Sequence, residues 1–291
     1  MRKTALIINP LSGRSSKKKV EDFINQLNKH GIEVSIFLTE YPGHATELAE
    51  ELEKRNDIDF IIVAGGDGTI NEVINGFNSY NKPLAIIPFG SANVLACELG
   101  INSIKDSLNA ILEGNLINCY IGNILSEEKS KKFLLMAGVG FDGYVVKNVR
   151  FKGSSFIKKK LFVIEGIKRF FKKDKEMMEI ITDGRKISCY HAIICKASKY
   201  GGNFTIARRG IIKEPVFEIL AITQNSRILL LKFFFSVLFN LPYPMEVHTF
   251  FTNNLEVKGE KPVQIDGEFF GYAPCNISLD SKTLRIFTLL S

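Results

Sequence analysis

A glycine-rich turn that carries one carboxylate is the first place in this sequence where chemistry can be expected. Gly65, Gly66 and Gly68 surround Asp67, and a short apolar run, 61–64, comes directly before them. Glycines without a Cβ let backbone N–H groups approach an anion, and the N-terminus of a following helix favours phosphate. A carboxylate beside a polyphosphate indicates a shared Mg²⁺ ion or a hydroxyl that must lose its proton. We therefore predict a phosphate-binding turn, with an ordinary strand–helix connection as the alternative.

Strands and helices alternate through the first 116 residues. This alternation predicts an α/β domain with a parallel sheet between two helix layers, as in Rossmann-like folds. Thr69 is the predicted N-cap of the helix that follows the glycine turn. Ligands of such sheets bind beyond the carboxyl ends of the strands. Four polar turns lie at that edge, and their convergence favours a binding site there: 9–13, Thr39, 65–69 and 90–93.

The second half of the chain, after about Gly114, changes to short strands separated by turns, which predicts an antiparallel β-sandwich domain. We place the two domains at 1–116 and 117–291. Within the second domain, 138–143 matches the G-x-G-x-x-G pattern. No strand–helix–strand unit surrounds this match, so we favour a tight backbone turn over a dinucleotide site.

The composition is that of an ordinary globular protein, with 291 residues, 45% apolar residues and a formal net charge of +7. The basic excess fits an anionic partner, and it leaves a nucleotide, a phospholipid surface and a nucleic acid open. Five scattered cysteines without a CxxC pair indicate reduced thiols in a cytosol rather than a metal site. The longest apolar tract, 228–241, is interrupted by Lys232 and is too short to span a bilayer. A soluble or peripheral protein is therefore expected.

Two carboxylates on one tight turn, Asp266 and Glu268 with Gly267 between them, form a second candidate for chemistry. Asp-Gly makes a good type I′ hairpin turn, and Glu268 would then be a solvated side chain. Alternatively, residues two apart on an extended arm point to the same side, so that both carboxylates enter one site and supply a general base. The sequence leaves both interpretations open.

A basic stretch from Lys147 to Lys175 carries eleven Lys or Arg residues against two acids. Apolar residues share one helical face within it, which fits docking of 158–173 on an anionic membrane surface. The alternative is a helix that packs on the β domain and keeps a solvated cationic side. The tract 228–241 also has helical spacing, and its wide apolar face is either core or a lipid-accommodating surface.

Six motifs in chain order together resemble the diacylglycerol kinase catalytic family, in particular the small soluble bacterial-type lipid kinases related to diacylglycerol and sphingosine kinases. The glycine–aspartate turn alone is shared with NAD kinases and phosphofructokinases, and the later motifs favour the lipid branch. The motifs cover nearly the whole chain: Asn9-Pro10-Leu11-Ser12-Gly13, Gly43-His44-Ala45, Gly65-Gly66-Asp67-Gly68-Thr69 with Asn71-Glu72, Pro88-Phe89-Gly90-Ser91-Ala92-Asn93, Tyr200-Gly201-Gly202 and Asp266-Gly267-Glu268.

The resemblance implies an ATP-dependent lipid kinase that binds Mg²⁺–ATP in the first domain and the lipid in the second. It implies that one of the carboxylates of Asp67, Asp266 and Glu268 accepts the proton of the lipid hydroxyl. We favour Glu268 as this base, with Asp266 and Asp67 organising metal and phosphate. Asp67 is also an implied Mg²⁺ ligand, and a further structural Mg²⁺ falls at Glu214, where Glu214-Pro215 replaces the family's Asp-Gly. The implied nucleotide contacts are Asn9, Pro10, Leu11, Ser12, Gly13, Thr39, Gly65, Gly66, Asp67, Gly68, Thr69, Ile70, Asn71 and Ser91.

The expected partner is a lipid substrate at a membrane surface, which places the protein in the cytoplasm, peripheral on the inner face. Nucleic acid is not expected as a partner, and a homodimer is left open. The lipid itself is not fixed, because diacylglycerol, phosphatidylglycerol and sphingoid bases all offer a hydroxyl beside long chains. Two rival functions are a kinase of a soluble nucleotide, similar to NAD kinases, and a catalytically idle lipid-binding regulatory protein.

Overall fold

A computed structural model describes residues 2–12, 17–127, 129–149, 155–171, 176–202, 204–208 and 211–290, without the side chains of 155–160, 162, 163 and 211. The chain forms two compact units, Met1–Tyr120 with Ser281–Ser291, and Ile121–Asp280. The sequence-based division places 281–291 in the second domain instead. The structure assigns this segment to the first unit, because Ile286 of the last strand pairs in parallel with Leu84.

The first unit is an α/β fold built on a parallel sheet, as the sequence predicts. Its sheet order is β2-β1-β3-β4, and each neighbouring pair is parallel. The elements in chain order are β1 (Arg2–Ile8), α1 (Lys17–Lys29), β2 (Ile32–Leu38), α2 (His44–Lys54), β3 (Phe60–Gly65), α3 (Asp67–Gly76), β4 (Leu84–Pro88), α4 (Val94–Glu98), α5 (Ile104–Glu113) and the start of β5 (Leu116–Leu125).

The strand order of this sheet reverses between β1 and β3. The chain passes from β1 to β2 on one side and then crosses to β3 on the other side of β1. A reversal of this kind opens a crevice at the carboxyl ends of the two strands, where ligands of such sheets bind. All six residues of β3 are buried, as expected for a strand covered on both faces. The sheet therefore presents its crevice to the turns that follow β1 and β3.

The second unit is an antiparallel β-sandwich with helical insertions. One sheet has the order β14-β13-β10-β7-β16-β17, and the other contains β9, β8, β15 and the first part of β18. The elements are β6 (Ser130–Phe133), β7 (Met136–Val139), α6 (Phe141–Asn148), α7 (Ser155–Phe170), β8 (Met178–Thr182), β9 (Arg185–Cys189), β10 (His191–Cys195), β11 (Lys199–Tyr200), β12 (Phe204–Thr205), a 3₁₀ turn (Ile211–Lys213), β13 (Phe217–Ile222), α8 (Arg227–Leu238), β14 (Val247–Thr252), β15 (Asn254–Lys258), β16 (Pro262–Ile265), β17 (Glu268–Tyr272) and β18 (Cys275–Phe287).

Side chains from both sheets of this unit form one apolar core. Phe133 and Phe217 stack within it, with ring centroids 5.8 Å apart. A Cβ at Gly122 would lie 2.4 Å from the Phe133 ring, so glycine is required there for packing. The predicted β-sandwich is thus confirmed. None of the helices in the described part of the chain is long and apolar enough to cross a membrane.

Two local predictions differ from the structure. Helix α3 begins at Asp67 with Gly66 as its N-cap residue, so Thr69 lies inside the first turn rather than capping it. Helix α6 begins inside the G-x-G-x-x-G match, at Phe141, where the sequence favours a turn alone. Gly140 has a φ of 87°, and this left-handed conformation turns the chain out of β7 into the helix.

Candidate active site

Asn9 joins the turn after β1 to the glycine turn after β3. Its backbone N–H donates to the Ala64 carbonyl at 3.0 Å, which keeps the chain beside β3. Its side-chain oxygen accepts the Leu11 N–H at 3.0 Å, and its amide nitrogen donates to Thr69 Oγ1 at 3.1 Å. The amide of Asn9 therefore bridges the two strands between which the sheet order reverses. It fixes the backbone at the crevice where a ligand is expected.

The glycines after β3 and β4 are required because two backbone turns touch. A Cβ at Gly66 would lie 3.1 Å from Gly90 Cα, and a Cβ at Gly90 would lie 2.5 Å from Gly66 Cα. A Cβ at Gly65 would lie 2.7 Å from Thr69 Cβ. The turns that follow β3 and β4 therefore form one assembly, which larger residues would force apart.

The first turn of α3 places at this assembly backbone donors that its own helical ladder does not use. The first intrahelical bond runs from Ile70 N to Gly66 O at 3.1 Å, so the N–H groups of Gly68 and Thr69 precede the helical ladder. A helix N-terminus attracts anions through such N–H groups and through its dipole. The arrangement can bind a phosphate group at the carboxyl edge of the sheet.

Asp67 connects the glycine turn to the start of α4. One of its carboxylate oxygens accepts the Leu95 N–H at 3.2 Å. Burial raises the pKa of the Asp67 carboxyl, and hydrogen bonds from the backbone N–H groups of Leu95, Val94 and Asn93 oppose that rise. The carboxylate therefore has a structural partner, and any role with metal or phosphate uses its remaining lone pairs.

Asp266 holds a bend of the sandwich in place through three backbone N–H groups. Its carboxylate accepts bonds from Leu134 at 2.9 Å, Leu135 at 2.9 Å and Met136 at 3.0 Å. Asp266 and Gly267 have φ angles of 48° and 83°, which are those of a type I′ turn between β16 and β17. This is the hairpin turn that the sequence left open as one interpretation. The Asp266 carboxylate is hydrogen-bonded to the bend between β6 and β7.

Glu268 has a different partner. It is the first residue of β17, and its carboxylate lies 2.9 Å from Lys131 Nζ in a partly exposed ion pair. One of the two interpretations of the sequence placed Asp266 and Glu268 on one side of an extended arm. That premise is wrong, because Asp266 lies in the turn itself and not on the strand. Of these two carboxylates, the exposed Glu268 is the better placed to receive a proton from a substrate.

Comparison with known proteins finds sequence relatives for about half of this chain. Residues 3–124 match the family model of the diacylglycerol kinase catalytic domain. A diacylglycerol kinase of Staphylococcus saprophyticus is 40% identical over 146 residues, which cover 48% of this chain and 46% of that protein. One from Staphylococcus aureus is 43% identical over 129 residues, which cover 43% of this chain and 41% of that protein. The amino-terminal part of this chain is therefore similar to the catalytic domain of diacylglycerol kinases. The chain spans about half the length of the curated relatives it matches.

Solved structures extend the likeness to the fold of the whole chain. A crystal structure of a candidate diacylglycerol kinase from Bacillus anthracis superposes with a TM-score of 0.82 at 20% identity, covering 99% of this chain and 97% of that one. An NAD kinase from Archaeoglobus fulgidus, solved in complex with ATP, superposes with a TM-score of 0.56 at 16% identity, covering 98% and 93%. At these identities the comparison shows a shared fold.

The other residues predicted to contact a nucleotide belong to turns and a helix around the same edge of the parallel sheet. The Thr39 N–H donates to the Ile8 carbonyl at 2.9 Å, which sets the start of the loop after β2 beside the end of β1. Asn71 is buried in α3, and Ser91 is partly buried in the turn after β4. Leu11 is 90% exposed, so its contact with a nucleotide stays a prediction. Pro10 and Ser12 belong to the same turn as Leu11, while Gly13 lies outside the described residues.

The predicted metal ligands differ in how well their surroundings fit Mg²⁺. Within the described ranges, no group of three or more His, Cys, Asp or Glu side chains is placed to hold a metal. Asp67 fits, since kinase Mg²⁺ ions use one or two carboxylates and take their other ligands from substrate phosphates and water. At Glu214 the backbone oxygen is already used, because the buried Lys196 ammonium binds the Glu214 carbonyl at 2.7 Å and the Val216 carbonyl at 3.2 Å. A metal there would need the exposed Glu214 carboxylate, and this site stays a prediction.

A partly buried hydrogen-bond chain supports the Asp266–Gly267 turn, and the sequence did not single out one of its members, Gln264. Tyr200 OH donates to Asp142 Oδ1 at 2.7 Å, and Gln264 Nε2 donates to Asp142 Oδ2 at 3.2 Å. Gln264 Oε1 then accepts the Gly267 N–H at 2.8 Å. Burial raises the pKa of both the Asp142 carboxyl and the Tyr200 phenol. Only the Tyr200-Gly201-Gly202 motif and the position of Asp142 in the glycine pattern pointed to this chain.

Replacing Gln264 with methionine is expected to destabilise the second unit by about 1–3 kcal/mol. The substitution keeps an unbranched side chain of similar length but removes the partners of the Gly267 N–H and of one Asp142 oxygen, both in partly buried bonds. Chemical denaturation measures the loss. Gln224→Met, at an exposed position, is the matched control and should change stability little. Equal stability of the two variants would contradict a supporting role for this chain.

Proposed function

We propose that this chain is an ATP-dependent lipid kinase that transfers the γ-phosphate of ATP to a lipid hydroxyl, with diacylglycerol as the first candidate acceptor. One observation carries the proposal. Asn9, the glycine turn and the N-terminus of α3 meet where the strand order of the sheet reverses, inside the diacylglycerol kinase catalytic domain. The names of the relatives and the ATP-bound state of the NAD kinase neighbour support the choice of reaction and cofactor.

The residues have separate tasks in this proposal. The N–H groups of Gly68 and Thr69 hold phosphate oxygens, and Asn9 keeps their turn in position. Mg²⁺ at Asp67, when bound, neutralises charge on the transferring phosphate. Glu268 accepts the proton of the lipid hydroxyl, and its ion pair with Lys131 orients the carboxylate. Asp266 keeps the hairpin turn that presents Glu268.

Phosphate transfer from labelled ATP to a panel of acceptors tests the proposal. The panel contains diacylglycerol, phosphatidylglycerol and a sphingoid base in mixed micelles, together with NAD in solution. Labelled lipid is the expected product, and the labelled species identifies the acceptor. Transfer to NAD alone would favour a soluble-nucleotide kinase, to which the fold is also similar. Lipid binding without any turnover would favour a regulatory protein.

The expected location of this reaction is the cytoplasmic surface of a membrane, where a lipid hydroxyl is accessible to ATP. The basic residues between 158 and 173 are part of this proposal. The structure describes Lys168 as an exposed side chain paired with Glu165 at 2.7 Å, whereas the side chains of 158–160 and the residues 172 and 173 lie outside the described residues.

A further inference from the structure

Helix α8 has an outer face that is mostly apolar and exposed. The helix begins at Ser226, whose Oγ accepts the Leu229 N–H at 3.3 Å, and it buries only Leu229, Phe233 and Ser236 against the second unit. Ile228 is 68% exposed, and Met245, beyond the helix, is 93% exposed. We name the exposed set the α8 apolar surface: Ile228, Leu231, Phe234, Phe235, Phe239 and Met245.

The end of helix α7 continues this surface within the same unit. Arg227 donates to the Phe171 carbonyl at 2.6 Å, which ties the start of α8 to the residue that follows α7. Ile164, Ile167 and Phe171 are exposed. The sequence left open that α7 packs on the β domain, and Arg169 of α7 does lie over the Tyr144 ring, 3.8 Å from its centroid, while these three apolar side chains stay exposed. Two helices therefore contribute apolar side chains to one side of the unit.

An exposed apolar face of this extent indicates a surface that contacts a membrane or another protein molecule. A helix in water normally turns polar residues outward, and soluble proteins rarely leave a contiguous apolar patch of several large side chains exposed. Helix α8 shows the opposite arrangement, because the apolar Phe234 and Phe235 are exposed while the polar Ser236 is buried. Packing within the unit does not account for these outward phenylalanines.

The charges on this surface favour a bilayer over a second copy of the chain. Arg227 and Lys232 are exposed on α8, and the sequence has no Asp or Glu from Ser226 through Met245. In a two-fold dimer the same patch faces itself, so these cations would meet cations without an acid to pair with. An anionic bilayer supplies phosphates to the cations and an acyl layer to the aromatic side chains.

We propose that the α8 apolar surface inserts into the interfacial layer of an anionic phospholipid bilayer, with Arg227 and Lys232 at the level of the headgroups. The inference deepens the proposed function, on which it rests, by assigning the surface that brings the protein to its lipid. It concerns binding alone, so it can be measured without ATP and without turnover.

The chain contains no tryptophan, which makes a direct probe available. Phe234→Trp introduces a single reporter on the surface, and Ile36→Trp introduces one at an exposed site of the first unit as the control. Vesicles of phosphatidylglycerol and phosphatidylcholine should shift the emission of Phe234→Trp to the blue, and brominated acyl chains should quench it. Ile36→Trp should show neither effect. Emission from Phe234→Trp that vesicles leave unchanged would overturn the proposal.

A second pair of variants measures the contribution to binding. Ile228→Gln combined with Phe234→Gln should lower partitioning onto the anionic vesicles by at least about tenfold, while Ile36→Gln should not. Lys232→Gln should lower it by about fivefold at low salt, an effect that fades as salt rises. Circular dichroism of each variant confirms the fold, because all of these side chains are exposed. Unchanged partitioning of the double variant would overturn the proposal.

Two further readouts separate this inference from its rivals. If sedimentation shows a dimer that Ile228→Gln with Phe234→Gln dissociates, the surface belongs to a second copy and the proposal is wrong. Transfer to a short-chain, monomeric diacylglycerol should be unchanged in the double variant, because insertion is not needed for a soluble acceptor. If the protein phosphorylates no lipid but the double variant still loses vesicle binding, the α8 apolar surface is supported as the membrane contact and the proposed function is rejected.

Discussion

Gly66→Val is expected to abolish measurable binding of Mg²⁺–ATP. The Cβ of any substituted residue would lie 3.1 Å from the Cα of Gly90, and that neighbour is backbone and cannot rotate away. The valine methyls would also stand next to the N–H groups at the start of α3 that are expected to hold phosphate. Gly66 has a φ of −99°, which L-residues adopt freely, so the loss comes from contact and not from backbone strain.

Isothermal titration calorimetry with Mg²⁺–ATP measures this loss. Gly66→Ala, with a single methyl, should give an intermediate affinity and keeps the prediction testable if the valine variant folds poorly. Gly166→Val is the matched control, because a Cβ at Gly166 meets nothing within 4 Å. ATP affinity that stays at the wild-type value in both Gly66 variants would remove the glycine turn from the nucleotide site.

The strand and the glycine turn at 61–68 could be predicted from sequence because their determinants are local. An apolar run followed by glycines gives a buried strand and a turn without reference to the rest of the chain. The helix start was misplaced because its cause is distant in sequence. Contact between Gly66 and Gly90 tightens the turn, so the helix begins at Asp67 instead of after Thr69.

The surroundings of Asp266 could not be read from the sequence for the same reason. Its three backbone donors lie at 134–136, about 130 residues earlier in the chain, and the Asp-Gly-Glu motif does not predict them. A type I′ turn was one of the two interpretations that the motif left open, and the structure contains that turn. The role of Gln264 was missed for the same reason. A single glutamine in a strand belongs to no sequence motif, and its partner Asp142 lies far away in the chain.

Glu268→Gln is expected to reduce kcat by about 10²–10⁴ with little change in the KM for ATP. A lipid hydroxyl is a poor nucleophile, so phosphoryl transfer needs it placed in line with the γ-phosphate and relieved of its proton. Glutamine keeps the size of the side chain but cannot accept that proton. Stability should change little, because the partner seen for Glu268 is Lys131 in a partly exposed ion pair, worth about 0–1 kcal/mol.

Two control variants separate this role from a structural one. Asp266→Asn should lower stability by about 1–3 kcal/mol, because an amide cannot replace a carboxylate that accepts three N–H bonds. Lys131→Met breaks the ion pair but leaves the carboxylate of Glu268, so it should retain most of the activity that Glu268→Gln loses. Steady-state kinetics and chemical denaturation on the same preparations distinguish these patterns. If Glu268→Gln turns over within a few-fold of the wild type, the base must be sought at Asp67, whose carboxyl lies beside the glycine turn.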